Sequence, residues 1–195
     1  TDLFPTIKPL FKRSSSITRN SASFKLRWSK AIRGINKPAL RVIANSLKRA
    51  KKHLVWREDN NNYYQHGADV GRGYRKCNLH TLLIGPDACG YLQSDFLLGV
   101  FMLGPRTFYR DHRHAAPELY LNLSDKSEWR LNAQDWQEYP AGSLIWNEAE
   151  AIHATRVNDM PFISVFIWLK NVKTPCITFP VDDWGEIETD LEKRI

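Results

Sequence analysis

The sequence predicts a mainly β protein: an antiparallel sandwich or barrel preceded by α-helices. Three observations carry that expectation. From about residue 79 onward, short runs rich in β-branched and aromatic residues follow one another, with turn residues between them. No helical pattern separates those runs, so the strands connect antiparallel rather than through crossovers. Before residue 58, apolar residues instead recur at spacings of three and four, the period of a helix. A chain of 195 residues is long enough for one full core plus a helical extension.

Residues 1–20, TDLFPTIKPLFKRSSSITRN, are basic and rich in Ser, Thr and Pro, and read as a loosely ordered start. Their acid-poor composition resembles a transit peptide, and the chain opens on Thr1 rather than Met. Residues 21–57 read as a basic helical extension. In SASFKLRWSKAIRGI the apolar stripe is Phe24, Trp28, Ile32 and Ile35. In NKPALRVIANSLKRAKKHLVW it is Leu40, Ile43, Leu47 and Leu54. Asn36 can cap this second helix. Pro38 suits its first turn, where a missing N–H costs little.

Residues 58–78 are polar and turn-forming and read as a linker or long loop. Residues 79–180 hold the strand candidates 80–84, 94–103, 106–112, 118–123, 128–133, 143–147, 152–157 and 162–170. The turns between them are GPDACG, GPR, AAP, SDKS, YPAG and NDMP. Residues 181–195 form an acidic tail that suits a short closing helix.

The net charge of +7 is unevenly spread. Residues 1–57 carry 15 Lys/Arg and one acid, whereas residues 58–195 carry 13 Lys/Arg and 20 acids. This pattern fits a basic helical layer packed on an acidic body. A nucleic-acid arm would interleave aromatic with basic residues, and these helices do not, so no nucleic-acid partner is expected. No apolar run approaches the roughly 20 residues of a membrane helix. The longest, FLLGVFMLG at 96–104, suits a buried strand, and no secretory signal is visible. Three widely spaced cysteines (Cys77, Cys89, Cys176) without a CxxC pair indicate free thiols and a cytoplasmic location. The expected assembly is a monomer or homodimer.

The stretch YRDHRHAAPELY, residues 109–120, carries the chemistry. Side chains in a strand alternate with period two, so His112 and His114 share a side, as do Glu118 and Tyr120. A straight strand would hold His112 and Glu118 about 20 Å apart, at about 3.3 Å per residue. One ion needs its ligands within about 2.2 Å. The backbone must therefore double back, and Ala115-Ala116-Pro117 offers the corner. Imidazoles plus a carboxylate suit Zn, Fe(II), Mn or Ni. Among the other histidines, His53 lies on a basic helix, His66 in the polar loop, and His80 opens a strand. His153, in IHATRV after the YPAG turn, is the favoured fourth ligand. The competing reading makes these histidines decoration on a polar hairpin.

HRHAAPE resembles the first cupin motif, HxHx3E, and PAG followed by His153 resembles a stretched second motif. The resemblance covers roughly residues 75–175. Cupins are small antiparallel β-barrels with a metal inside. Within them, Tyr109, His112, His114, Glu118, Tyr120, the His153-Ala154 pair and Trp168 are similar to the pattern of the cupin-type dimethylsulfoniopropionate (DMSP) lyases. The resemblance implies a cupin barrel, a divalent metal ion held by His112, His114, Glu118 and His153, and DMSP as small-molecule substrate. It implies β-elimination to dimethyl sulfide and acrylate, with Tyr120 as base or resting metal ligand. Tyr109 would be an accessory tyrosine, and Trp168 an aromatic wall for the sulfonium. Tyr109 has the wrong strand parity for this unless a bulge re-aims it, and Trp146 would edge the pocket. Two alternatives stand beside this reading: an Fe(II)-dependent cupin dioxygenase and a non-catalytic, small-molecule-binding cupin.

Overall fold

Residues 22–59 and 63–193 are described by the structure, a computed structural model; the side chains of residues 22–25 are not. The expectations for residues 1–20 and for Phe24 lie outside the described residues. Helix α1 (Ala22–Arg33) is followed by a 3-10 turn (Pro38–Leu40) and helix α2 (Arg41–Ala50). Pro38 starts its turn, but the capping position is Lys37 rather than Asn36. Helix α2 stops at Ala50 although the apolar stripe continues to Leu54. Leu54, Val55 and Trp56 are all buried, and three consecutive buried residues cannot lie on one helix face. The chain runs on extended instead, and Arg57 exchanges both backbone hydrogen bonds with His80.

After helix α3 (Arg72–Cys77) come eleven strands: β1 (Asn78–Gly85), β2 (Tyr91–Leu92), β3 (Leu97–Leu103), β4 (Phe108–Arg113), β5 (Glu118–Asn122), β6 (Ser127–Leu131), β7 (Gln137–Tyr139), β8 (Leu144–Asn147), β9 (His153–Arg156), β10 (Phe162–Trp168) and β11 (Ile177–Thr178). Helix α4 (Trp184–Lys193) closes the described chain. The strands form a six-stranded sheet, β2-β1-β3-β10-β5-β8, and a five-stranded sheet, β11-β4-β9-β6-β7. Among the named strands, every pairing is antiparallel except the two-residue contact of β1 with β2. The mainly β, cupin-type expectation holds, with two facing antiparallel sheets in place of one closed cylinder.

Strand alternation separates the layers. Val100 and Met102 on β3, Ile163 on β10 and Leu79 on β1 pack outward against Trp28, Ile32, Ile35, Leu40, Leu47 and Trp56. The basic helices thus dock through their apolar stripe. Inward, Phe101 and Leu103 on β3 meet Phe162, Phe166 and Trp168 on β10, with Tyr109 and Trp129 from the smaller sheet and Val157 just past β9. Gly99 lets this interior close up: a Cβ there would fall 2.6 Å from both the Phe166 ring and the Thr81 carbonyl. Within 58–78, read from sequence as a linker or loop, Tyr64, Val70 and Tyr74 are buried in this same cluster.

The outer face of the smaller sheet carries buried charge. Arg130 on β6 stands opposite Ala154 on β9, and its guanidinium reaches across to Asp111 on β4, with contacts of 2.6 and 3.0 Å. Arg130 also pairs with Asp183, ahead of α4, and the Trp184 indole N–H donates to Asp111 at 2.8 Å. Arg110 is clamped by Asp69 at 2.6 Å and by Glu188 at 2.9 Å. Removing Arg130 strands the fully buried Asp111 carboxylate in the interior. Arg130→Met is therefore expected to cost about 3–5 kcal/mol, read as a lowered urea midpoint. A change under about 1 kcal/mol would show that the clamp contributes little.

Candidate metal centre

Strand register makes the centre. On adjacent strands β4 and β9, His112 stands directly opposite His153, with ring centres 4.2 Å apart. The β4–β9 pairing is irregular between Tyr109 and His112. That bulge turns both side chains inward although they are three residues apart, and the two rings stack at 4.2 Å. His114 lies just past β4, its ring 4.9 Å from that of His153. The chain then reverses over the corner Ala115–Pro117, where Ala116 is fully buried. Glu118 opens β5, flanked in register by Trp168 on β10 and Asn147 on β8.

Each imidazole is oriented by its own backbone. Nδ1 of His112 lies 2.7 Å from the Arg110 carbonyl, Nδ1 of His114 2.8 Å from that of Ala116, and Nδ1 of His153 2.9 Å from that of Ala151. A carbonyl can only accept, so each Nδ1 carries the hydrogen and each Nε2 turns inward. Glu118 meets them there. Its Oε2 is 3.1 Å from His114 Nε2 and 3.4 Å from His153 Nε2, and accepts from Asn147 Nδ2 at 3.3 Å. Its Oε1 accepts from the Trp168 indole N–H at 2.6 Å. All four candidate ligands are buried.

The charges interlock. Burial alone would raise the Glu118 carboxyl, but His114 and then His153 outweigh it and hold it well below the carboxylate range. Burial would lower His114, and the Glu118 hydrogen bond and charge push it up instead. Burial, then His153 and His114, keep His112 well below its usual value, so it is a neutral donor.

These residues fit a divalent metal. Ligand nitrogens of His112, His114 and His153 all lie within 4.8 Å of one another. Two bonds of about 2.1 Å to one ion span at most about 4.2 Å, so small ring rotations close the set. Among the described residues His153 Nε2 is buried with the 3.4 Å Glu118 contact but no well-aligned hydrogen bond, a costly state for a polar atom that a metal bond would relieve. Imidazole Nδ1–H groups held by carbonyls are the usual support of metal-binding histidines.

Beside Glu118 is a small cavity of about 50 Å³. Tyr109, Tyr120, Phe101, Phe166 and Trp168 face it, as do Asp59, Tyr63, Tyr74 and His80. Trp168 has two contacts in the site: its ring lies 4.3 Å from that of His114, and its N–H holds Glu118. Tyr64 donates its hydroxyl hydrogen to Tyr109, and Tyr74 stacks on Tyr109 at 4.2 Å. The Tyr63 hydroxyl and His80 Nε2 are hydrogen-bonded at 3.0 Å. Sequence reasoning passed over Tyr63, Tyr64, Tyr74 and Asp59. The available signal was the adjacent pair Tyr63-Tyr64 inside a polar run, since large aromatics seldom stay in water. Trp146 does not line the cavity: it is exposed at the surface and donates to Glu148 at 2.6 Å.

Zinc or nickel added to metal-stripped protein should raise the melting temperature, because only the folded chain presents the assembled ligands. In His153→Ala the shift should largely disappear. An equal shift in both proteins would place the ion elsewhere.

The model of the dimethylsulfoniopropionate lyase family matches residues 24–164. The curated DMSP lyase DddQ of Ruegeria pomeroyi is 28% identical over 93 residues, 47% of this chain and 46% of that protein. The match thus spans just under half of that relative's length. A crystal structure of DddQ from R. pomeroyi superposes with a TM-score of 0.66 at 19% identity, covering 89% of this chain and 82% of that one. A chain from the crystal structures of the DMSP lyases RdDddP and RnDddQII gives 0.63 at 21% identity, covering 79% and 77%. At such identities the likeness is one of fold. Among the described residues, no helix is long and apolar enough to cross a membrane. The family match runs from α1 to the middle of β10 and takes in the whole histidine and glutamate cluster: the chain belongs to the dimethylsulfoniopropionate lyase family.

Proposed function

We propose that the protein is a metal-dependent lyase that cleaves DMSP to dimethyl sulfide and acrylate by base-catalysed β-elimination. The observation that carries this reading is the meeting of His112, His114, His153 and Glu118, all buried, beside a cavity that Tyr120 and Trp168 also line. Family membership supports the substrate class, and the relatives named DMSP lyases supply its chemical identity. His112, His114, Glu118 and His153 would hold a divalent ion, of which Zn, Fe, Mn and Ni all accept such donors. When bound, that ion supplies positive charge to anchor the substrate carboxylate and to stabilise charge developing on it as the adjacent proton leaves.

The chain's own groups supply the rest. Tyr120, two residues beyond Glu118 on β5, shares its face and the cavity. Burial, and next the charge of Glu118, hold its hydroxyl well above the ordinary phenol value. Its work as a base therefore depends on a cation offsetting Glu118. With that offset Tyr120 would first give up its own proton to solvent; the phenolate then takes the proton next to the substrate carboxylate, the carbon pair becomes the new double bond, and the C–S bond breaks toward neutral dimethyl sulfide. Tyr109, held between Tyr74 and His112 and bonded to Tyr64, is the accessory tyrosine of the same wall. Trp168 presents an aromatic face to the cavity and steadies Glu118. The cavity is small, so the lining rings must give way for substrate to bind.

Metal-loaded protein incubated with DMSP should release dimethyl sulfide into the headspace; silence with Zn, Mn, Fe and Ni alike rejects the lyase. Tyr120→Phe should lower kcat by at least about 100-fold with metal content unchanged, and full activity would remove Tyr120 as base. Trp168→Phe keeps most of the ring but loses the donor to Glu118. Its zinc affinity, measured by chelator competition, should fall about 10–100-fold, whereas an unchanged affinity would confine Trp168 to the cavity wall.

A further inference from the structure

Of the four candidate ligands Glu118 lines the cavity, and a second carboxylate lines the same space. Asp59 is 2% exposed and faces the cavity with Tyr63, Tyr74, Phe101 and Phe166. Its position is fixed from several directions. The Tyr74 hydroxyl donates to Oδ2 at 3.0 Å, and the Tyr63 backbone N–H reaches Oδ1 at 3.5 Å. The Asn78 side chain brackets the Asp59 backbone, accepting from its N–H at 2.6 Å and donating to its carbonyl at 3.3 Å. Nearby His80 adds no positive charge, since burial and then Arg57 lower its pKa to about 4. Arg57 acts on Tyr63 and His80 from outside the cavity lining.

A carboxylate among aromatic rings suits an organic cation that has no hydrogen-bond donors. The rings offer their negative faces, and the carboxylate adds a full charge at reduced dielectric. Such a group would repel a simple fatty acid and favour a zwitterion whose own carboxylate lies on the Glu118 side, toward the metal centre. We propose that Asp59 is a specificity-determining residue, the counter-charge for the cationic head of a zwitterionic substrate. This deepens the lyase reading and rests on it for the substrate's class, a short onium carboxylate.

Two non-substrates of nearly the same shape test it on metal-loaded protein. One is 3-(trimethylammonio)propionate; the other is 4,4-dimethylpentanoate, with the same carboxylate and no positive charge. Titration followed by tryptophan fluorescence reads both. Wild type should bind the cation at least about tenfold more tightly. Asp59→Asn should cut that preference to within about twofold by weakening the cation alone. Tyr74→Phe, which keeps the charge and loses one hydrogen bond, should retain most of the preference. Equal affinities in wild type overturn the proposal, as does a preference that survives in Asp59→Asn. A parallel loss of both probes in Asp59→Asn, or a preference lost as fully in Tyr74→Phe, marks a structural role and also overturns it. The lyase reading fails separately: wild type that prefers the cation but releases no dimethyl sulfide removes the reaction and leaves the counter-charge in place.

Discussion

The register of β4 against β9 is the constraint on which the rest of the site depends. Opposition of His112 and His153 sets two imidazoles side by side, and a one-residue slip would turn one of them to the outer face. The outer face opposes such a slip. Asp111 on β4 and Arg130 on β6 join hands over β9, passing across Ala154. A large side chain at that position would stand between them. The residue after His153 is thus small for a reason on the far side of the sheet. Asp111 and His112, adjacent in sequence, face opposite ways, one fixing the strand and the other using it.

The second half of the cluster is set by a corner rather than a register. His114 and Glu118 are drawn together because the chain reverses over Ala115–Pro117, and the buried methyl of Ala116 lets that corner close. Glu118 is then caught between its two cross-strand neighbours, with Trp168 on one oxygen and Asn147 on the other. Burial, and next the charge of the same carboxylate, hold the Tyr120 hydroxyl well above the ordinary phenol value. One ion placed among these groups would therefore act twice, on the ligands and on the phenol beside them.

Much of this was legible in the sequence, because β periodicity is a local property. The period-two rule places His112 with His114 and Glu118 with Tyr120, and a tight corner is the only way to bring the pairs together. The inward turn of Tyr109 could be stated only as a condition, since a bulge leaves no mark in the residue types; the irregular β4–β9 pairing supplies it. The cavity's other wall was hidden for a different reason. Residues 58–78 have the polarity of a loop, and composition cannot show that Tyr64 and Tyr74 fold under the sheet or that Asp59 follows them. The end of α2 at Ala50 was missed because the stripe from Leu47 to Leu54 keeps helical spacing, while the burial of Val55 and Trp56 is a tertiary fact. Strand β7 is three residues long, too short for any pattern to register.

Convergence of three imidazoles and one carboxylate on a single ion is the central claim, and X-ray absorption spectroscopy of the zinc-loaded protein tests it most directly. The account predicts three histidine nitrogens at about 2.0–2.1 Å, with the remaining ligands oxygen. A spectrum with one imidazole or none, or with sulfur bound to the zinc, would contradict it.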